Sequence, residues 1–147
     1  GVQTCALPIW VAARCCGMLQ ACLEESLAYI PTRETFGVPI GQRQLIQSKI
    51  TDMVVWHETA KLLLLKLASL KDKGDGARVE ASMAKMYASD MLMRAAEHAM
   101  QIHGAYACSD DYNIGRYWRD AKFMQMIEGT SEIHRWLIAE YALGYRK

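Results

Sequence analysis

The sequence predicts an all-α chain, an up-and-down bundle of four to five helices, and three observations carry that expectation. Apolar residues recur three and four apart through the three longest segments, which is the period of one helix face. Nine methionines and few β-branched residues favour helix over sheet. The breaks between periodic segments are short, as links between antiparallel helices are. At 147 residues and 52% hydrophobic content, one domain with an adequate core is expected.

Residues 1–9 (Gly-Val-Gln-Thr-Cys-Ala-Leu-Pro-Ile) fit nothing downstream. They resemble the conceptual translation of a short-read sequencing adapter, joined to a gene fragment near Trp10. They lack the basic start and sustained apolar segment of a signal peptide. The expected division is therefore a foreign stretch, 1–9, and a helical domain, 10–147, whose natural protein starts well upstream. The foreign stretch is expected to pack poorly or to extend away.

A first helix is expected from Trp10 to about Ile30, with Cys15, Leu19, Leu23, Leu27 and Ile30 as its apolar stripe and Pro31 as its stop. Arg33 to Gly41 reads as a turn with Pro39 and two glycines. A second helix should run from about Gly41 to Lys71 on a seam of Ile46, Ile50, Met53, His57, Ala60, Leu64 and Leu67. Leu62, Leu63 and Leu65 lie off that seam and imply burial against a further surface. The loop 71–76 comes next, with Asp75 as a helix start signal. The third helix, about Ala77 to His103, carries a methionine stripe (Val79, Met83, Met86, Met93, Met100) broken by Asp90. It also carries an alanine stripe (Ala81, Ala84, Ala88, Ala95, Ala99) that permits close packing. Methionines so spaced are more often core than ligand surface. Gly104 fits a left-handed closing residue. Shorter helices are expected over about Asn113–Ile127 and Thr130–Leu143.

Seventeen basic and 16 acidic side chains, a net charge of +1, give no reason to expect nucleic acid. No apolar run approaches the ~18–20 residues of a membrane-spanning helix. The five cysteines include no Cys-x-x-Cys pair and suggest unpaired thiols in a reducing compartment. His57, His98, His103 and His134 make no metal set with them, so no metal is expected, and each is read as a surface or interface histidine.

The stretch Lys122 to Trp136 is the chemically suggestive one. Gly129 breaks a helical pattern, Thr130 or Ser131 can cap the next helix, and Glu132 falls in its first turn, where a carboxylate suits the dipole. Glu128 thus sits at a helix end beside a glycine. A carboxylate there is a general-base candidate if desolvation raises its pKa, the alternative being a glutamate that merely decorates a corner.

Glu128-Gly129-Thr130-Ser131-Glu132-Ile133, preceded by Arg119-Asp120-Ala121, resembles the C-terminal signature of the acyl-CoA dehydrogenase family. Arg33-Glu34-Thr35-Phe36-Gly37 resembles that family's first flavin-binding turn, and Gln101-Ile102-His103-Gly104 its later one. The likeness runs from about Ala12 to the C-terminus. It implies oxidation of the α,β bond of an acyl thioester, with Glu128 as the base and FAD as the hydride acceptor. It implies Gly129 beside the substrate, and cofactor contacts from Arg33, Thr35, Phe36, Gln44, Gln101, Gly104, Thr130 and Glu132. Arg33 matches a residue that reaches the FAD pyrophosphate of a neighbouring subunit. The partners implied are an acyl-CoA or acyl-carrier-protein thioester, an electron-transfer flavoprotein and further copies of the chain as dimer or tetramer. The location implied is the bacterial cytoplasm or the mitochondrial matrix. Ala105, Ile127 and Glu140 depart from the family pattern, where a second glycine, an aromatic residue and often an arginine stand. Glu140 leaves open whether CoA is the carrier. With no room for the family's other domains, the chain alone is expected to be inactive. The rival readings are a non-catalytic helical interaction module and an acyl-CoA oxidase.

Overall fold

A computed structural model describes residues 3–146, with side chains from Pro8 onward. Five helices make up almost all of it: α1 Gln3–Tyr29, α2 Gln44–Asp72, α3 Arg78–His103, α4 Ile114–Met126 and α5 Ser131–Ala142. A small hairpin, β1 Glu34–Thr35 and β2 Val38–Pro39, stands between α1 and α2. It is the only sheet among the described residues, so the all-α expectation holds. Its two turn residues, Phe36 and Gly37, have φ of 52° and 76°, the paired positive angles of a tight two-residue hairpin.

The first helix begins at Gln3 rather than Trp10 and continues through Pro8. Pro8 is buried and Ile9 packs against the core, so these two residues do not extend away as expected. Residues 1–2 and the side chains of 3–7 lie outside the described residues. The buried face of α1 also differs from the expected stripe. It consists of Ala12, Cys15, Leu19, Cys22, Ser26 and Tyr29, whereas Leu27 is 49% exposed. The reason is geometric. A step of four residues overshoots a full turn by ~40°, so successive fours walk around the helix, while alternating threes and fours stay on one side.

The seam of α2 is as expected, with Met53, Ala60 and Leu67 buried and Ile46, Ile50 and Leu64 packed at its edge. Leu63 also packs there, but Val54, Val55, Leu62 and Leu65 remain exposed. Within the described residues no second surface covers them. Helix α3 is the centre of the bundle and touches each of the other four helices. Its alanine stripe is fully buried, and the missing side-chain bulk lets the α1 backbone approach. The methionines are only half-buried at the rim, so the core belongs to the alanines. Asp75 does not start the helix. The N-cap is Ala77, left-handed at φ 47° and without a side-chain cap bond.

Cys15 and Cys22 are free and buried, and burial pushes both thiols up to about 12. They are inert packing groups at neutral pH. No group of metal-ligating side chains occurs among the described residues, and no helix there is long and apolar enough to cross a membrane.

Candidate active site

The link from α4 to α5 is only Ile127 to Thr130, and reversing the chain in so few residues requires unusual backbone. Glu128 has φ 53° and Gly129 φ 97°. The first is tolerated at some cost by a residue with a side chain; the second belongs to glycine. A Cβ on Gly129 would also lie 3.0 Å from Nε2 of His134. The angle calls for glycine here, and the tight approach of His134 adds to it.

Three polar groups sequence reasoning missed hold this corner. Lys85, fully buried, donates from Nζ to the carbonyls of Gly129 at 2.6 Å and Gln125 at 3.3 Å. Burial holds its pKa below the usual lysine range, partly offset by Cys15, Asp90, Glu132 and Glu128. His134 is 4% exposed, and its Nε2–H donates to the Glu128 carbonyl at 3.2 Å while Nδ1 has no partner. Asp90 accepts from Gln125 Nε2 at 2.9 Å, Ser131 Oγ at 2.7 Å and the Arg135 guanidinium, tying α3 to α4 and α5. The break that Asp90 makes in the methionine stripe therefore has a structural use.

Capping differs from expectation in detail. Thr130 is the N-cap of α5, but its hydroxyl makes no cap bond to the backbone. Ser131 turns instead to Asp90. Glu132 holds its own backbone N–H and the Thr130 hydroxyl, and those bonds keep its carboxyl below the usual range.

Two pockets flank the corner. One, of about 570 Å³, is lined by Glu128 and Gly129 together with Ala81, Ser82, Ile133 and Tyr141. The other, of about 560 Å³, is lined by Thr130 and Glu132 with Met93, Arg94, Lys122 and Asp90. The Glu128 side chain is exposed. The expected desolvation is therefore not supplied by the described residues.

The remaining predicted residues gather at the opposite end of α3. Arg33, Thr35, Gln101 and Gly104 line one pocket of about 430 Å³, joined by Tyr29, Arg43 and Tyr106. Gly104 closes α3 at φ 61° and ψ −140°, a positive angle but outside the left-handed helical well that was expected, and open only to glycine. Ala105 lies in the 3-10 turn Gly104–Cys108 with no positive φ, so a second glycine is not required. Arg33 forms no ion pair among the described residues and rests 6.0 Å from the Tyr106 ring. Arg43 donates to the Thr35 carbonyl at 3.0 Å. Phe36 is 96% exposed and Gln44 is exposed at the start of α2; neither lines that pocket. From Lys85 to His103 the helix rises ~27 Å, at ~1.5 Å per residue, so the two groups of site residues stand far apart.

The histidines divide in two. His98 pairs with Asp52 at 3.4 Å and stacks on Trp56, and His57 meets Glu58 at 3.5 Å. His103 and His134 are buried, not surface groups; His103 stacks on Tyr29 with ring centres 4.3 Å apart.

His134 has a pH consequence. Burial, then the Lys85 charge, holds its pKa below the ordinary 6.5. On acidification the unfolded chain takes up this proton before the folded chain does. Stability is expected to fall as pH drops through 6.5 towards the lower folded value, well before Glu132 titrates. The check is Tm against pH: His134→Gln should flatten that part of the profile, and an unaltered slope would assign it to other groups.

Fold and corner together define a helical domain that presents one glutamate at a helix–helix junction. Sequence comparison then supplies the family. The family described as acyl-CoA dehydrogenase, C-terminal domain, matches residues 9–143. The chain belongs to the acyl-CoA dehydrogenase family, of which it carries the C-terminal domain. It is 44% identical over 135 residues to the probable acyl-CoA dehydrogenase YngJ of Bacillus subtilis (strain 168), covering 92% of this chain and 36% of that protein. It is 39% identical over 129 residues to the caffeyl-CoA reductase-Etf complex subunit CarC of Acetobacterium woodii, covering 88% and 34%. The solved glutaryl-CoA dehydrogenase glutaryl-CoA complex superposes with a TM-score of 0.93 at 37% identity, covering 98% of this chain and 37% of that one. The chain thus spans about a third of the length of the curated relatives it matches.

Proposed function

We propose that the chain is the base-bearing, C-terminal part of a flavin-dependent acyl thioester dehydrogenase. The observation that carries this reading is the corner: Glu128 is held at positive φ on the wall of a pocket, beside a glycine whose own positive φ and close approach to His134 disfavour a side chain. A carboxylate so placed takes the α proton of a thioester once substrate and the rest of the protein cover it, since removal of water is what raises its basicity. Gly129 gives substrate close access to the backbone.

The residues at the other end suit a dinucleotide. Arg33 offers an exposed guanidinium, with no ion pair among the described residues, whose fork matches phosphate oxygens. Thr35, Gln101 and Gly104 surround the same pocket, with Phe36 and Gln44 at its approaches, while Thr130 and Glu132 would meet flavin at the corner. When bound, FAD accepts the β hydrogen as hydride. The rise along α3 separates Arg33 from Glu128 too widely for one compact contact, which supports Arg33 serving the cofactor of a neighbouring copy. The exposed apolar face of α2 suits an assembly of copies, as dimer or tetramer. The names of CarC and of the glutaryl-CoA complex support acyl-CoA as substrate and electron-transfer flavoprotein as partner. An acyl carrier protein remains the alternative carrier, because Glu140 is taken up by Arg146 at 2.6 Å and offers no positive charge. We place the enzyme in the bacterial cytoplasm or mitochondrial matrix, and the stretch before residue 9, where the family match begins, outside the family domain.

The test is the upstream reading frame. A protein extended to the length of its relatives should purify yellow and bleach when mixed anaerobically with an acyl thioester. The 147-residue chain should purify without flavin, because it holds only part of the cofactor site. A colourless extended protein, or one unresponsive to a panel of acyl-CoA and carrier thioesters, would refute the assignment.

A further inference from the structure

We propose that Lys85 is the positioning residue of Glu128: its buried ammonium holds the Gly129 carbonyl and so fixes the corner that aims the carboxylate. The inference rests on the reading of Glu128 as the base, but it stands on geometry of its own. Lys85 occupies the alanine face of α3, with Ala81, Ala84, Ala88 and Ser89 buried around it on the same helix. A lysine is among the residues least often fully buried, and leaving a charge there without partners would be strongly destabilising. Its partners are two backbone carbonyls. Gln125 O is one of the terminal acceptors of α4, left without a helical donor where the helix ends. Gly129 O belongs to the residue immediately after Glu128. One side chain therefore spans the end of α4 and the turn beyond it, satisfying acceptors that the reversal strips of helical donors.

The opposite side of the turn is held by His134, whose Nε2–H reaches the Glu128 carbonyl. Consecutive peptide carbonyls are thus pulled in by different elements, Glu128 O by α5 and Gly129 O by α3. Rotating either peptide breaks one of these bonds. That is a sufficient reason for Glu128 to keep φ 53°, a conformation that residues with a side chain populate sparsely. An apolar side chain at position 85 would fill the same volume and leave α3 packed, but would leave both carbonyls unbonded. The corner would then relax while the bundle stayed folded.

The experiment reads the corner directly, in the 147-residue chain. A protease that cuts after glutamate is applied to the native chain, and cleavage at Glu128–Gly129 is compared with cleavage at Glu34–Thr35 in the hairpin. Lys85→Met should accelerate the first relative to the second by about 10-fold or more, the change in local opening expected from losing a charge-assisted hydrogen bond. Tm should stay level or rise. No acceleration, or equal acceleration at both bonds, would overturn the proposal and leave Lys85 a general packing group. Should Lys85→Met not fold, the unmodified chain decides. The Gly129 carbonyl carbon-13 shift should follow the alkaline titration of Lys85 Nζ, and a carbonyl blind to that titration overturns the proposal. Neither measurement involves flavin or thioester. A wrong assignment of the base would leave both results unchanged, and a rigid corner in Lys85→Met would leave the base assignment standing.

Discussion

Replacing Glu128 by glutamine, in a protein extended upstream to the length of its relatives, should slow flavin reduction by ~10²–10⁴-fold, the usual loss for a general base. That is roughly 3–5 kcal/mol of barrier. Glutamine keeps the shape and much of the hydrogen bonding but cannot accept the proton. Flavin should stay bound, because Arg33, Thr35 and Gln101 lie at the far end of α3. Arg33→Ala should do the opposite, weakening flavin retention with activity partly restored by added FAD. Single-turnover bleaching separates these effects because it reports chemistry without product release. Near-normal bleaching in Glu128→Gln would move the base elsewhere, to a residue upstream of this domain.

The second large effect is expected at Asp90. Its carboxylate accepts from Gln125, Ser131 and Arg135 and is only 14% exposed. Asp90→Ala removes three bonds at once and leaves the Ser131 hydroxyl buried without its acceptor. A loss of about 2–4 kcal/mol is expected, since each bond to a charged group contributes ~1.5–3 kcal/mol and such sums are not additive. For a chain of this size that lowers Tm by about 5–15 °C. The Arg135 pair alone is too exposed to account for it, so Arg135→Ala should shift Tm far less. Equal shifts in the two variants would mean that the ion pair, and not the buried bonds, carries the energy.

Much of the helical skeleton was legible because it is local. A break such as Pro31 or 71–76, and a period of three and four, are properties of neighbouring residues, and the expected helix ends mostly lie within a few residues of the observed ones. The expected α1 stripe failed at Leu27, while Leu23 and Ile30 pack at the edge of the core, because spacing of four alone cannot tell a straight face from a rotating one. Glu128 and Gly129 were singled out through their motif, and the structure adds the positive φ that explains the glycine. Lys85, Asp90 and His134 were not found. Lys85 lies on the alanine face at helical spacing from Ala81 and Ala88, so a signal existed. Its partner carbonyls, however, come from residues 40 and 44 positions downstream, and periodicity carries no information about such pairings. Arg43 and Tyr106 joined the other pocket for the same reason: the hairpin and the end of α3 meet only in three dimensions.

The length of α3 has a consequence that can be read as genetics. On the proposed arrangement each copy keeps its glutamate at one end and lends its arginine, from the other end, to a neighbour. In a two-fold pair each site then draws on both copies. A pair formed from one Arg33→Ala copy and one Glu128→Gln copy would concentrate both lesions in one site and leave the other whole. Two impaired proteins, mixed and reassembled without added FAD, would therefore recover activity that neither shows alone. Two lesions placed in the same copy would damage both sites of a mixed pair and complement nothing.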